Sequence, residues 1–174
     1  MAATAPVPES RRVIGYTGPR RDVVIVDDVA VNRALLVELL SPLGFTLREA
    51  ESGEAALALL TASTTDLVLL DLRMSGMDGL ALTRALRARP DGAKLKIIAM
   101  SASVLSFNRD DAFAAGCDDF LPKPFREADL FEKIGRLLRL EWTYAVEPTP
   151  SASPVAPFAP DQSALDPALL SELL

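Results

Sequence analysis

Short, continuously apolar runs alternate along the chain with segments in which apolar residues recur at helical spacing. Three runs are too short and too uniformly apolar for surface helices, and they are typical of buried parallel strands: 23–26, 67–70 and 96–100. Two weaker strand predictions fall at 45–47 and 119–121. The pattern therefore indicates five strands, each followed by a helical segment.

The helical segments present apolar faces that can cover a sheet. Four of them have clear spacing: Leu36, Leu39 and Leu40; Ala56, Leu59 and Leu60; Leu82, Ala85 and Leu86; Leu130, Ile134, Leu137 and Leu138. The segment 104–115 has the poorest helical pattern, because several polar residues occur together in it. Parallel strands need crossovers, and right-handed crossovers cover both faces of a sheet. We therefore expect an α/β fold with a doubly wound, five-stranded parallel sheet.

Local composition divides the chain into three regions. Residues 1–20 are predicted to be a flexible lead and residues 21–144 one folded domain. Residues 145–174 are predicted to be a Pro/Ala/Ser-rich linker with a short possible helix. That helix would begin near Asp166 and Pro167, and its apolar stripe would consist of Leu165, Leu169, Leu170 and Leu173.

Overall composition excludes several classes of function. The formal net charge of −6 argues against a nucleic-acid partner. No apolar run approaches the roughly 18 residues of a membrane span, and the first residues do not resemble a signal peptide, so we expect a cytoplasmic location without membrane insertion. The sequence has no histidine and one cysteine, which excludes a phosphohistidine or a Cys-rich metal site within it.

Polar residues stand at the carboxyl ends of the predicted strands, where open α/β sheets bind their ligands. Asp27 and Asp28 follow the first strand, and Asp71 follows the third. Ser101 ends the fourth strand, and Lys123 follows the fifth. All five side chains are therefore expected at one edge of the sheet.

Three carboxylates at one edge repel one another, and a hard divalent cation relieves that repulsion. Mg2+ suits such a site, because it prefers oxygen ligands and keeps positions open for water and a phosphate oxygen. An aspartate there can also attack phosphorus and form an aspartyl phosphate, whose oxygens Lys123 and the Ser101 hydroxyl could bind. Taken singly, the residues have ordinary interpretations. Asp28 could be a helix N-cap, Lys123 a solvated loop lysine, and Ser101 a hydroxyl bonded to nearby backbone.

Four sequence blocks resemble the receiver domains of two-component response regulators. They are Val-Asp-Asp at 26–28, Leu-Leu-Asp-Leu-Arg-Met at 69–74 with Met-Asp-Gly at 77–79, Met-Ser-Ala at 100–102, and Asp-Asp-Phe-Leu-Pro-Lys-Pro-Phe at 118–125. The spacing between the blocks also matches the family, and the resemblance covers residues 21–140. It implies a flavodoxin-like (βα)5 fold with the strand order 2-1-3-4-5.

The resemblance also implies a role for each residue of the acidic edge. Asp71 would be the phosphoacceptor, and Lys123 would contact the phosphoryl group. Mg2+ would be bound by Asp27, Asp28, Asp71 and the backbone carbonyl of Arg73. The phosphodonor would be a histidine kinase or a histidine phosphotransfer protein.

A switch is implied in the same way. Ser101 would shift toward the phosphoryl group, and the ring of Phe120 would turn into the space that Ser101 leaves. The face formed by 104–115, 118–122 and 126–140 would then dock an unidentified downstream protein only after phosphorylation.

Two features refine the resemblance. Ser75 and Gly76 stand where the family usually has a proline after methionine, which predicts a more mobile loop. Three flanking segments, 15–21, 32–33 and 140–144, are similar to the receivers at the end of hybrid sensor histidine kinases.

Other functions fit the same sheet less well. A hydrolase of the haloacid dehalogenase type needs a second aspartate two residues beyond the nucleophile, where this chain has Arg73. A flavodoxin-type nucleotide site would place a phosphate against three carboxylates. An interaction domain without phosphorylation leaves the whole acceptor set unused. We therefore expect a signalling domain rather than an enzyme, with chemistry limited to its own phosphorylation and dephosphorylation.

Overall fold

A computed structural model describes residues 11–102 and 109–145 of the chain. Within them, Arg12–Tyr144 form one compact unit. A short 3-10 turn at Ser41–Leu43 links the first helix to the third strand. The other elements, in chain order, are β1 Val13–Tyr16, β2 Asp22–Val26, α1 Ala30–Leu40, β3 Thr46–Ala50, α2 Gly53–Ala62, β4 Leu67–Asp71, α3 Gly79–Arg87, β5 Lys96–Ser101, α4 Arg109–Ala115, β6 Asp119–Pro122, α5 Glu127–Leu138 and β7 Trp142–Tyr144.

Five of these strands form a parallel sheet in the spatial order β3-β2-β4-β5-β6. Counted along the chain among themselves, they have the order 2-1-3-4-5, so the predicted doubly wound sheet and its strand order are confirmed. The chain winds in opposite directions from β2 and from β4. Their carboxyl ends therefore flank the crevice in which such sheets bind ligands.

Helices cover both faces of the sheet, and this explains why the strands are apolar throughout. Val24 and Val26 of β2 pack toward α2, α3 and α4, whereas Val23 and Ile25 pack toward α1 and α5. All four are fully buried. Because successive side chains of a strand point to opposite faces, a sheet buried on both sides needs apolar residues at every position.

Local sequence signals fix where the helices begin and end. The Ser52 side chain accepts a hydrogen bond of 3.0 Å from the Ala55 amide and caps α2. α4 is described only from Arg109, so residues 104–108 of the predicted 104–115 segment lie outside the described residues. The predicted linker and helix of the tail lie outside them as well, from residue 146 onward.

Residues 13–16, which lie within the predicted lead, form β1 and pair antiparallel with β7. Aromatic packing explains the pairing. The Tyr16 ring lies 4.6 Å from Phe45 and 6.2 Å from Trp142, and Trp142 lies 5.7 Å from Phe131 of α5. A Cβ atom on Gly135 would lie 2.5 Å from Trp142 Nε1, so the indole rests directly on the α5 backbone. The ribbon of β1 and β7 therefore extends the core beneath α5.

Trp142→Ala tests whether the ribbon stabilises the domain. We expect a loss of about 2–3 kcal/mol in the free energy of unfolding, below the usual cost for a fully buried indole because Trp142 is half-buried. Urea denaturation followed by circular dichroism measures it. Ile14→Ala on the same ribbon is the control: Ile14 is 50% exposed, so its loss should be about 0.5 kcal/mol or less. Equal, small losses for both variants would show that the ribbon contributes nothing.

Candidate functional site

The carboxyl edge of the sheet brings together most of the side chains that the sequence places there. Asp71 is the last residue of β4, and Asp27 and Asp28 directly follow β2, its neighbour in the sheet. One carboxylate oxygen from each of the three lies within 4.8 Å of the others. Lys123 follows β6, and its ammonium reaches this group from two strands away.

The three carboxylates differ in their exposure to water. Asp27 is fully buried and Asp71 is 6% exposed, whereas Asp28 is exposed. Charges in a poorly solvated position interact more strongly than charges in water. Burial is therefore the main electrostatic cost at Asp71, and repulsion by Asp27 adds to it.

Lys123 offsets part of that cost. Its Nζ donates a hydrogen bond of 3.1 Å to Asp27 Oδ2 and lies 3.7 Å from Asp71 Oδ2. The ammonium is thus shared between the two buried carboxylates. The interpretation of Lys123 as a solvated loop lysine is wrong, because its side chain is only 18% exposed and is paired with buried acids.

Asp71 is nevertheless in a position that disfavours its charge. Burial raises the pKa of Asp71 above its ordinary value, and the negative charges of Asp27 and Asp28 raise it further. The Arg73 backbone N–H, which donates to Asp71 Oδ1 at 3.1 Å, and the Lys123 ammonium lower this pKa without cancelling the rise. A cation bound beside Asp71 would favour the carboxylate.

Asp28 does not cap a helix, so that interpretation is wrong as well. The N-cap of α1 is Val29, and the Val29 amide donates to Asp27 Oδ1 at 2.8 Å. Asp28 instead points toward the loop after β4, where its Oδ2 accepts hydrogen bonds of 3.2 Å from the Ser75 amide and 3.4 Å from the Ser75 hydroxyl. A proline at position 75 would supply neither donor. The departure at Ser75 therefore adds a contact between the loop and the acidic group.

Ser101 lies at the end of β5, between the strands that carry Asp71 and Lys123. Its side chain is 3% exposed, and its carbonyl accepts a hydrogen bond of 2.8 Å from the Lys123 amide. Phe120 of β6 is half-buried against the core cluster that contains Ala99. Ser101 and Ala99 point to the same face of β5, since they are two residues apart. Ser101 and Phe120 therefore share that face.

Asp78 and Gly79 of the Met-Asp-Gly block hold the backbone beneath Asp71. From the sequence, no function is predicted for either residue. Asp78 accepts a hydrogen bond of 2.8 Å from the Ala81 amide and caps α3. The Gly79 amide donates to the Leu72 carbonyl at 3.0 Å, and a Cβ atom on Gly79 would lie 2.7 Å from the Asp71 carbonyl oxygen. Only glycine permits this close approach. The sequence signal was an aspartate before a helical segment followed at once by glycine.

The donor set fits a hard cation. Within residues 11–102 and 109–145, Asp27, Asp28 and Asp71 are the one group of three side chains placed to hold a metal ion together. All the ligand atoms are carboxylate oxygens, and the exposed side of the group, at Asp28, leaves room for water. The three carboxylates carry more negative charge than the Lys123 ammonium offsets. A divalent cation such as Mg2+ would balance the remainder.

Comparison with known proteins agrees with this geometry. Residues 23–135 match the family model described as the response regulator receiver domain. The chain belongs to this family. Receiver domains are signalling domains of two-component systems, and the match contains every side chain of the acidic edge.

Similar proteins include a transcriptional regulatory protein and a sensor histidine kinase. The receiver is 36% identical over 117 residues to the transcriptional regulatory protein ResD of Bacillus subtilis (strain 168), covering 67% of this chain and 48% of ResD. It is 32% identical over 138 residues to the sensor histidine kinase GacS of Pseudomonas protegens, covering 78% of this chain and 14% of GacS. The chain thus spans half or less of these two proteins.

One solved structure resembles this chain over nearly the whole of the solved domain. The receiver domain of the sensor histidine kinase PA1611 from Pseudomonas aeruginosa PAO1 is 30% identical, with a TM-score of 0.65, and the match covers 70% of this chain and 99% of that one. That structure has a magnesium ion coordinated in its active-site cleft.

In the described part of this receiver, no helix is long and apolar enough to cross a membrane.

Asp71→Asn should stabilise the metal-free receiver at neutral pH. Because the pKa of Asp71 is raised by folding, its ionisation costs stability as pH rises, and the amide removes that cost. The gain should shrink as pH falls and vanish below about 3.9, the ordinary pKa of aspartate, where both the folded and unfolded chains hold the proton. Urea unfolding with EDTA at several pH values measures it.

Glu132→Gln on the exposed side of α5 is the matched control, since it also removes one negative charge. Its free energy of unfolding should stay close to that of the wild type across the same pH range. An Asp71→Asn receiver no more stable than wild type at pH 7, or one whose advantage grows at low pH, contradicts the electrostatic account.

Proposed function

We propose that Asp71 accepts a phosphoryl group from the phosphohistidine of a partner histidine kinase or histidine phosphotransfer protein in the cytoplasm. The observation that supports this most directly is the buried Asp71 carboxylate, 3.7 Å from the Lys123 ammonium and grouped with two further acids. The sequence contains no histidine, so the donor is another protein or another part of a longer chain.

The transfer forms one bond and breaks one. A carboxylate oxygen of Asp71 attacks phosphorus, the phosphorus–nitrogen bond to the donor imidazole breaks, and the departing nitrogen takes up a proton. Charge neutralisation and positioning dominate such a reaction. Lys123 supplies one positive charge directly, and its release from Asp71 toward a phosphoryl oxygen requires only a small movement of a flexible side chain.

Mg2+ would be held by Asp27, Asp28, Asp71 and the backbone carbonyl of Arg73. The ion would neutralise the carboxylates and bind a phosphoryl oxygen. The chain's own groups orient this set: the Val29 amide holds Asp27, and the Ser75 amide and hydroxyl hold Asp28.

Phosphorylation would change one face of the domain. The Ser101 hydroxyl would move toward the new phosphoryl oxygens, and Phe120, which shares its face of the sheet, would turn into the space that is left. A downstream protein would then dock on the surface of α4, β6 and α5. Phe120 supports this route because it is half-buried and packs at the boundary between core and surface.

Acetyl phosphate with Mg2+ should add one phosphoryl group to the receiver, measured by intact mass. Asp71→Asn should remove the labelling, and EDTA should remove it from the wild type. Asp91→Asn is the control: Asp91 pairs with Arg89 in the turn before β5, at the opposite edge of the sheet, so full labelling is expected. An Asp71→Asn receiver labelled as strongly as wild type would contradict the proposal that Asp71 is the phosphoacceptor.

The surface around the site suggests where the donor docks. Three large apolar side chains are exposed on or beside α1, namely Val29, Val31 and Leu35, at 48%, 75% and 49%. Leu35 also lines a groove between α1 and the segment after Lys123, with Leu39, Pro124 and Phe125. Because α1 begins two residues after Asp28, a protein that brings a phosphohistidine to Asp71 comes close to this surface. We therefore propose that the donor presents an apolar helical surface to α1.

Leu35→Asp should slow labelling by a protein donor about tenfold while leaving labelling by acetyl phosphate unchanged. The donor is any purified histidine phosphotransfer protein that labels the wild-type receiver. Ile14→Asp is the control, because Ile14 is equally exposed but lies on the ribbon away from the acidic edge. Equal rates for Leu35→Asp and wild type with the protein donor would rule out α1 as the docking surface.

A further inference from the structure

Arg33 reaches from α1 back to the backbone of the acidic edge. Its Nη1 donates a hydrogen bond of 2.8 Å to the carbonyl oxygen of Asp27, and its Nε donates one of 3.2 Å to Glu49 Oε1 at the end of β3. The side chain is 16% exposed, which is low for an arginine. The guanidinium therefore links three elements, α1, β2 and β3, at the point where the metal acids begin.

The carbonyl that Arg33 holds belongs to the peptide that joins Asp27 to Asp28. The other side of Asp27 is fixed as well, because its amide donates to the Ala50 carbonyl at 3.2 Å. Since a peptide is planar, fixing the direction of the Asp27 carbonyl also fixes the direction in which the chain enters Asp28. Asp28 itself is exposed, and its side chain accepts two long hydrogen bonds from Ser75.

We infer that Arg33 is a positioning residue for the cation site, with Glu49 orienting its guanidinium. This inference rests on the proposed Mg2+ site and adds to it a residue that need not touch the ion. Groups behind the first ligands commonly set the affinity of a metal site by orienting those ligands. A lysine at position 33 would keep the charge. Its ammonium lacks the planar guanidinium geometry that bonds the Asp27 carbonyl and Glu49 at the same time.

The charge of Arg33 and its geometry have opposite effects on Mg2+ binding, so they can be separated. As a positive charge near three carboxylates, Arg33 repels a cation, and its removal should strengthen binding. As a support for the Asp27–Asp28 peptide, it holds the ligands in place, and its removal should weaken binding. The sign of the change in affinity therefore decides between a positioning role and a purely electrostatic one.

Calorimetric titration with Mg2+ alone tests the inference. We expect Arg33→Ala to weaken binding about tenfold, the lower end for such supporting groups. Arg33→Lys and Glu49→Gln should weaken binding by smaller factors. Arg89→Ala removes the same charge at the opposite edge of the sheet and should leave the affinity unchanged. Urea unfolding in EDTA checks that each variant is folded, and amide NMR shifts at residues 27–29 report the backbone without metal.

The possible outcomes separate this inference from the function on which it rests. Arg33→Ala affinity equal to or above that of wild type overturns the positioning role and leaves the proposed Mg2+ site standing. A wild-type receiver that binds no Mg2+ overturns both. If Arg33→Ala fails to fold, Arg33→Lys decides, because it keeps the charge: weakened binding with normal stability supports positioning, and unchanged binding with unchanged amide shifts at residues 27–29 contradicts it.

Discussion

The placement of three carboxylates together at the end of a buried sheet, where burial and mutual repulsion both disfavour their charge, is the constraint on which this domain depends. Asp27 and Asp71 are held where water reaches them poorly, and Asp28 completes a group whose oxygens lie within 4.8 Å of one another. Lys123 is shared by the two buried acids. One ammonium cannot neutralise three carboxylates, so the site retains a negative charge that a divalent cation or a proton must balance.

The fold supplies the force that keeps the acids together. β2 and β4 are adjacent in the sheet, and their side chains are buried on both faces, so neither strand can slide or turn to separate the carboxylates without exposing core residues. Gly79 closes the backbone against the carbonyl of Asp71. The stability of the hydrophobic layers thus offsets the electrostatic cost at the carboxyl ends of the strands, and the negative charge that remains there favours a bound cation.

Much of the fold and of the site could be predicted from the sequence, for a physical reason. Uniformly apolar runs identify strands buried on both faces, and parallel strands bring the residues at their carboxyl ends to one edge. That reasoning predicts Asp27, Asp28, Asp71 and Lys123 at one end of the sheet, and the structure brings these four side chains together. The identity of the acids alone could not give their geometry. The alternative interpretation of Asp28 as a helix cap is wrong because Val29 is the N-cap of α1 and Asp28 accepts hydrogen bonds from Ser75.

Contacts between distant parts of the chain were beyond the reach of local patterns. The pairing of β1 with β7 depends on the stacking of Tyr16, Phe45 and Trp142, and these residues are too far apart in sequence to form a periodic signal. The bond from Arg33 to the Asp27 carbonyl was equally hidden, since an arginine on a helix is usually solvated. Such contacts become visible only when the fold brings them together.

A crystal structure of the receiver with Mg2+ and beryllofluoride, a phosphoryl mimic, tests the central claim most directly. The account predicts beryllium bonded to a carboxylate oxygen of Asp71, with Mg2+ between that group and the carboxylates of Asp27 and Asp28. Lys123 should turn to a fluoride. Beryllofluoride bound elsewhere, or Mg2+ bound without contact to Asp27 and Asp28, would contradict it.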